Sequence, residues 1–280
     1  MAYVVTITYP STIESEHLED ETAVPPPDWP ARGAIEFSNV VASYKNSSTR
    51  ALDHISLSIK AGTKVGICGR SGSGKSSLVS SLFRLIELTS GTINIDGLDI
   101  SLLARNHLRA QLNCIPQEPF LLPGCSVRLN VDPGMSIHDD IIIDALKKVQ
   151  LWDPVRELGG LDATITPDTF SPGQKQLLCF ARAMVRPEGK ILVLDEATSS
   201  IDTKTDDLIQ SLIRSEFADH TVIAIAHRLE TIIDFDEIIV VDAGRVEEQG
   251  PPAVLLERGG AFAELYWDKD RGSDRAPLRL

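Results

Sequence analysis

The chain has 280 residues, 42% of them hydrophobic and 5% aromatic, enough for a packed core in one large domain or one domain with lobes. Its 40 acidic residues outnumber 27 basic ones, giving a net charge of -13; this argues against nucleic acid or an anionic membrane surface as the main partner, because both require clustered Lys and Arg. The four cysteines (Cys68, Cys114, Cys125 and Cys179) form no C-x-x-C pair, and there is neither an apolar run of about 20 residues nor a basic leader, so the expectation is a soluble chain facing the cytosol with reduced thiols.

Residues 1 to about 33 read as an acidic, Pro-rich linker. Pro25-Pro26-Pro27 and Pro30 hold it extended, and only Trp29 is equipped to pack on the domain C-terminal to it. Order begins near Ala34. Ile35–Val40, Ile55–Lys60 and Thr92–Gly97 alternate as strands with one wet face, and Val65–Cys68 reads as a buried strand. From about 118 to 184 the pieces are mostly helical, with Ile141, Ile142, Ala145, Leu146 and Val149 as one apolar stripe. Beyond it, Ile191–Leu194 and Val222–Ala226 are continuous apolar runs, as parallel strands covered on both faces require. A helical segment near 203–216 joins them, and Ile238–Val241 with Arg245–Glu247 suggests a hairpin. This βαβ alternation predicts an α/β fold with a helical lobe inserted into a sheet core. Short helices and a charged tail from about Lys269 close the chain.

Chemistry concentrates at a few places. Gly69, Arg70, Ser71, Gly72, Ser73, Gly74, Lys75 and Ser76, followed by Ser77, stand between the Val65–Cys68 strand and a helix, with the spacing G-x-x-x-x-G-K-S. That is the context of a phosphate-binding loop. Glycines let successive backbone N–H groups converge, and the helix N-terminus adds unpaired donors. Lys75 reaches the β- and γ-phosphates, and the Ser76 hydroxyl takes a place on Mg²⁺. At the end of the Ile191–Leu194 strand, Asp195 is placed to bind Mg²⁺ and Glu196 to orient the attacking water. Ser171-Pro172-Gly173-Gln174 fits an N-cap, a first-turn proline and a capping box, opening an apolar helix. By local physics an ordinary capped helix explains everything there except the need for Gly173. Gln117 at the sheet-to-lobe junction can reach metal or water, His227 at a strand end can orient the water, and Tyr44 can stack on adenine. Each of these three, taken singly, reads more readily as an ordinary loop, strand-end or surface residue.

In this order the motifs resemble the nucleotide-binding domain of ATP-binding-cassette (ABC) transporters, over about residues 34–266. Gly69–Ser76 resembles Walker A, Gln117 the Q-loop, Ser171–Gln174 the signature motif, and Ile191–Asp195 with Glu196 the Walker B strand and catalytic glutamate. Ser199-Ser200-Ile201-Asp202 resembles the D-loop, His227 the switch histidine and Tyr44 the A-loop aromatic. The wording around Lys64–Arg70, Leu82–Leu85 and Ala226–Leu229 is similar to the second nucleotide-binding domain of the C subfamily, the multidrug-resistance-associated exporters, as is Pro26–Pro30. The resemblance implies a P-loop core with a mixed sheet, an N-terminal antiparallel β-subdomain and an inserted α-helical subdomain. It implies ATP and Mg²⁺ as cofactors, with Ser76, Gln117 and Asp195 at the metal and Glu196, His227 and Gln117 in catalysis. It also implies ATP contacts from Asp202 and from Ser171, Gly173 and Gln174, the last three to a partner's nucleotide. The partners implied are a second such domain, closing head to tail, and the transmembrane domain of an exporter at the cytosolic face of a membrane.

Two departures stand out. Phe170 and Pro172 occupy positions where the family signature has Leu and Gly or Val, and Pro172 has no N–H to offer. Membrane helices are missing, so the resemblance implies an excerpt or truncated product of a longer transporter, or membrane partners in trans; the linker wording favours the former. Competing readings are a soluble ABC ATPase acting on DNA or ribosomes, a non-catalytic module holding ATP as a staple, and a P-loop kinase. The first is disfavoured by one cassette and the acidic charge, the second by Glu196 and His227, and the third by Ser171–Gln174.

Overall fold

Side-chain alternation decides where the core lies. In the computed structural model, residues 21–45, 49–186, 189–197, 201–226 and 228–273 are described, the last six without side chains. The elements run β1 (Ile35–Ser43), β2 (Arg50–Ile59), β3 (Lys64–Cys68), α1 (Lys75–Leu82), β4 (Leu88–Ile95) and β5 (Leu98–Asp99). Next come α2 (Arg105–Gln111), β6 (Leu112–Ile115), α3 (Val127–Val131), α4 (Asp139–Lys148), α5 (Trp152–Glu157) and α6 (Pro172–Met184). The chain ends through β7 (Ile191–Asp195), α7 (Thr203–Ser215), β8 (Thr221–Ile225), β9 (Glu237–Asp242), β10 (Arg245–Gly250), α8 (Pro252–Arg258) and α9 (Ala261–Ser273).

Two sheets result. One is four-stranded, ordered β2-β1-β4-β5, and antiparallel. The other is six-stranded, ordered β10-β9-β3-β8-β7-β6, and parallel except for β10. Its central strands are buried on both faces, and successive residues feed two different cores. Ile191, Val193, Ile223, Ile225, Ile239 and Val241 pack with α1 and the antiparallel sheet. Leu192, Leu194, Val222, Ala224, Ile238 and Val240 pack with the helices α3 to α9. The period of two along each strand therefore builds a three-layer arrangement with the parallel sheet in the middle. The mixed sheet, the antiparallel β-subdomain and the helical insertion are as predicted.

Several details differ from the sequence reading. β6 and α2 were not predicted; Leu112-Asn113-Cys114-Ile115 is too short and mixed to announce a strand, and pairing with β7 makes it one. In α4 the buried stripe is Ile142, Ala145, Leu146 and Val149, whereas Ile141 is half exposed. One helical stripe at i, i+3, i+4, i+7 has no place for the residue before it. α9 continues to Ser273, past the expected fraying at Lys269, since no Pro interrupts it. Among the described residues no helix is long and apolar enough to cross a membrane.

The end of the expected linker is ordered rather than solvated. Ala23 bridges to Leu103, its N–H donating to Leu102 O at 2.9 Å. Trp29 is buried, and its indole donates to Ile95 O at 3.0 Å. The Asp96 carboxylate accepts from the backbone N–H groups of Arg32, Gly33 and Ala34 at 2.8, 3.1 and 2.8 Å. Glu21, its side chain 3% exposed, lies between Arg84 at 2.9 Å and Arg105 at 3.1 Å, both themselves buried. Acidic composition marked this stretch as solvated; two arginines that need a buried counter-charge explain why it is not. Glu21→Ala is expected to lower unfolding free energy by about 3 kcal/mol, because it takes the carboxylate from buried Arg84, while Arg105 keeps Glu87 at 2.7 Å. Urea titration of the variant against the native chain checks this; an unchanged midpoint refutes it.

Candidate functional site

The site is assembled at the C-terminal edge of the parallel sheet. The order β3-β8-β7-β6 sets four strand ends side by side. β3 leads into residues 69–76, β7 delivers Asp195 and Glu196, and β6 leads through Pro116 to Gln117. β8 ends between β3 and β7, where the Ala226 N–H donates to Ile67 O at 3.0 Å. Ligands of open α/β sheets sit at this edge.

The loop itself is backbone-lined. Gly69 has φ +147°, and a Cβ there would overlap the Val241 carbonyl oxygen. Only glycine lets the chain leave β3 at that angle. α1 starts at Gly74 with no side-chain cap and no acidic residue in its first turn. No side chain competes for the donors of its first turn, and the helix dipole there favours an anion. The Lys75 ammonium is folded over the loop, donating to Gly69 O and Arg70 O at 3.0 Å each. Ser73 is buried, and its hydroxyl oxygen has no hydrogen-bond partner. An orphaned buried hydroxyl in a glycine-rich loop at a helix start fits a polyphosphate-binding cradle. Ser71, Gly72 and Ser76 are exposed at the loop surface. Ser77 is buried, and its hydroxyl lies 3.1 Å from that of Tyr44, a residue half exposed beside the loop. Tyr44 is thus anchored to α1 by its hydroxyl, with ring surface in solvent.

Across the edge, the carboxylates stand close to Gln117. Burial first, and the neighbouring Glu196 charge second, push the Asp195 carboxyl above the ordinary range. Two adjacent acids at one strand end favour a cation there. Glu196 has φ +48°, a strained position for a side chain, and its N–H donates to Ile225 O at 3.2 Å. Its carboxylate accepts from Gln117 Nε2 at 3.0 Å. The sequence placed these residues 79 positions apart; the fold joins them. His227, and Ser199 and Ser200 of the D-loop stretch, lie outside the described residues.

The α6 start is as the capping box predicts. Ser171 Oγ accepts from the Gln174 N–H at 3.2 Å, and the Gln174 side chain accepts from the Ser171 N–H at 2.9 Å. Pro172 sits at the first turn without disturbing it. With Pro172 lacking a donor and the Gln174 N–H taken, the Gly173 N–H is the one the first three helical residues have left. The unexplained glycine also gains a structural reason. A Cβ on Gly173 would lie 3.2 Å from Thr205 Oγ1 and 3.7 Å from Asp202 Oδ2. Asp202 caps α7, accepting from the Lys204 and Thr205 N–H groups at 3.1 Å each. In this chain its carboxylate is thus engaged in the cap, and Gly173 lets the two helix starts touch. Phe170 is buried in the helical core.

Three contributors were not read from the sequence. Buried Gln176 on α6 donates to Pro116 O at 3.0 Å and Ala197 O at 2.9 Å, tying the α6 start to the Gln117 segment and to the turn after Glu196. Val241 and Gly244, from the β9–β10 hairpin, pack on the phosphate loop. A glutamine among apolar residues of α6 was the available signal for the first; nothing local signals the other two.

The ABC transporter family model matches residues 52–199, just over half of the chain. The chain is 50% identical over 260 residues to ABC multidrug transporter B of Aspergillus fumigatus, covering 92% of this chain and 18% of that protein. It is also 50% identical over 258 residues to ABC transporter C family member 3 of Dictyostelium discoideum, covering 91% of this chain and 18% of that one. Among solved structures it matches a bacterial Atm1-family ABC exporter with ATP bound, with a TM-score of 0.82 and 34% identity, over 93% of this chain and 45% of that chain. The chain therefore spans about a fifth of the length of the curated relatives it matches, 18% for each of the two. The matched span carries the very loop and acidic strand end that meet at the sheet edge, and it shows that this chain belongs to the ABC transporter family and carries its ATP-binding domain.

Proposed function

We propose that this chain binds Mg-ATP at Gly69–Ser77 and hydrolyses it, slowly when alone, as the engine of a membrane exporter. The observation that carries the reading is the meeting of phosphate loop, Asp195, Glu196 and Gln117 at one strand edge, with Gln117 bonded to Glu196 at 3.0 Å. Bound Mg-ATP supplies the γ-phosphoryl group and the positive charge that polarises it. Lys75 and the loop N–H groups hold the β- and γ-phosphates, and Tyr44 offers its ring to the base. Ser76 and Asp195 hold the metal, with Gln117 beside them. Among the described residues no group of three His, Cys, Asp or Glu could hold a metal alone. That suits Mg²⁺, which keeps waters and takes phosphate oxygens. Glu196 orients the attacking water and takes its proton, and His227 completes the γ-phosphate contacts.

Ser171–Gln174 belongs to α6, whose apolar face lies in the helical core, on the other side of the sheet from α1. We assign it to the nucleotide of a second domain, closing head to tail; closure then moves the transmembrane domain. With Gly173 as the free first-turn donor, that contact rests on one N–H and the Ser171 hydroxyl. Purified chain is expected to bind ATP with micromolar affinity in the presence of Mg²⁺ and to release phosphate slowly. Isothermal titration and a phosphate-release assay, each with and without Mg²⁺, check this. No heat of binding under either condition overturns the reading.

A further inference from the structure

The phosphate loop is held from behind by an element with no place among the family-type motifs, the turn between β9 and β10. The Gly244 N–H donates to Ser73 O at 2.8 Å, and the Gly244 carbonyl accepts from the Asp53 N–H of β2 at 2.8 Å. The same residue thus bonds the loop on one side and the antiparallel sheet on the other. Space is equally tight. Gly244 has φ +77°, and a Cβ on it would stand 3.0 Å from Ala51 O. A Cβ on Gly74 would stand 2.8 Å from that oxygen and 3.3 Å from the Gly244 Cα. Earlier in the hairpin, on β9, the Val241 carbonyl closes on Gly69. Both ends of the loop therefore abut the β9–β10 hairpin.

The turn is itself pinned. Arg245 donates through Nε, at 2.8 Å, and through Nη2 to Asp53 Oδ2, and Arg50 Nη1 donates to Asp53 Oδ1 at 2.6 Å. The side-chain hydrogen bond from Arg50 first, and that from Arg245 second, hold the Asp53 carboxyl below the ordinary range. We infer that Gly244, with Arg245 and Asp53 behind it, is a positioning element that presets the Ser73–Gly74 backbone for phosphate. The inference rests on the proposed ATP site for its consequence but not for its geometry. With the Ser73 carbonyl held from behind by Gly244, the peptide planes of the loop keep one orientation, and the N–H groups on the ligand side need no reorganisation on binding.

The test uses the full chain, without nucleotide first. Gly244→Ala, which forces a side chain against Ala51 O, is expected to raise hydrogen exchange in residues 69–76 while protection of β7 and β8 is unchanged. Mg-ATP affinity is expected to fall about tenfold, on the order carried by one lost backbone hydrogen bond. Arg245→Ala is expected to weaken binding about threefold, as for a partly exposed pair, with Arg245→Lys recovering most of it. Should Gly244→Ala fail to fold, the Arg245 pair decides. Loop exchange and affinity equal to the native chain in the folded variants overturn the inference. A merely structural role would instead lower the unfolding midpoint and raise exchange across the whole sheet, which also overturns it. If the native chain binds no ATP, the proposed function fails, while the nucleotide-free exchange still judges the turn.

Discussion

Lys75→Ala is expected to lower Mg-ATP affinity by about a hundredfold or more, since it removes charge-assisted bonds to the phosphates worth roughly 1.5–3 kcal/mol each. The ammonium is already aimed, held over the loop by Gly69 O and Arg70 O. Its loss takes away both the charge and a clasp on the loop, in a chain whose net charge of -13 repels the nucleotide. The fold should survive, because neither the helix start at Gly74 nor the hairpin contacts depend on the side chain. Titration calorimetry, paired with a thermal unfolding curve, separates the two effects. Unchanged affinity would remove Gly69–Ser77 as the phosphate site.

Glu196→Gln is expected to cut phosphate release by about 10²-fold or more, the range for losing a positioned general base, with ATP binding retained. The substitution keeps shape and leaves an oxygen to accept from Gln117 Nε2, so the edge geometry persists. It also removes the Glu196 charge that, after burial, raises the Asp195 carboxyl, so Asp195 ionises more readily at the metal corner. If hydrolysis opens the head-to-tail pair, the variant accumulates as an ATP-bound dimer, with itself or with a second ABC domain. Light scattering with Mg-ATP reads this directly. A variant that hydrolyses like the native chain would strip Glu196 of its role, and one that stays monomeric with every partner domain would sink the closure mechanism.

Local chemistry was legible in the residues. A phosphate loop is specified within eight positions, because glycines, a lysine and a helix start must follow one strand directly. The capping box at Ser171–Gln174 closes over three residues, and the hydrogen bonds are those expected. Continuous apolar runs at 191–194 and 222–226 announced strands covered on both faces, and each feeds two cores. The misreadings have a common cause. Glu21 looked like solvated charge, and its buried partners lie 63 and 84 positions away. Gly173 had no local reason in the sequence, and its structural one is Thr205 on another helix.

What the sequence determined by itself is each piece of the site: a loop for phosphate, a strand ending in two carboxylates, a capped helix start. Backbone sterics and hydrogen bonding within a turn or two settle such pieces, so their signature is contiguous. What only the tertiary structure decided is their assembly. Strand order β3-β8-β7-β6 brings Gln117 to Glu196 and lays residues 241–244 beneath the phosphate loop. Periodicity reports which face of a strand is buried, but not which strand lies beside it. That choice is made by complementary packing of residues far apart in the chain, and it turns a phosphate loop into a site with a metal corner, a water corner and a rigid back.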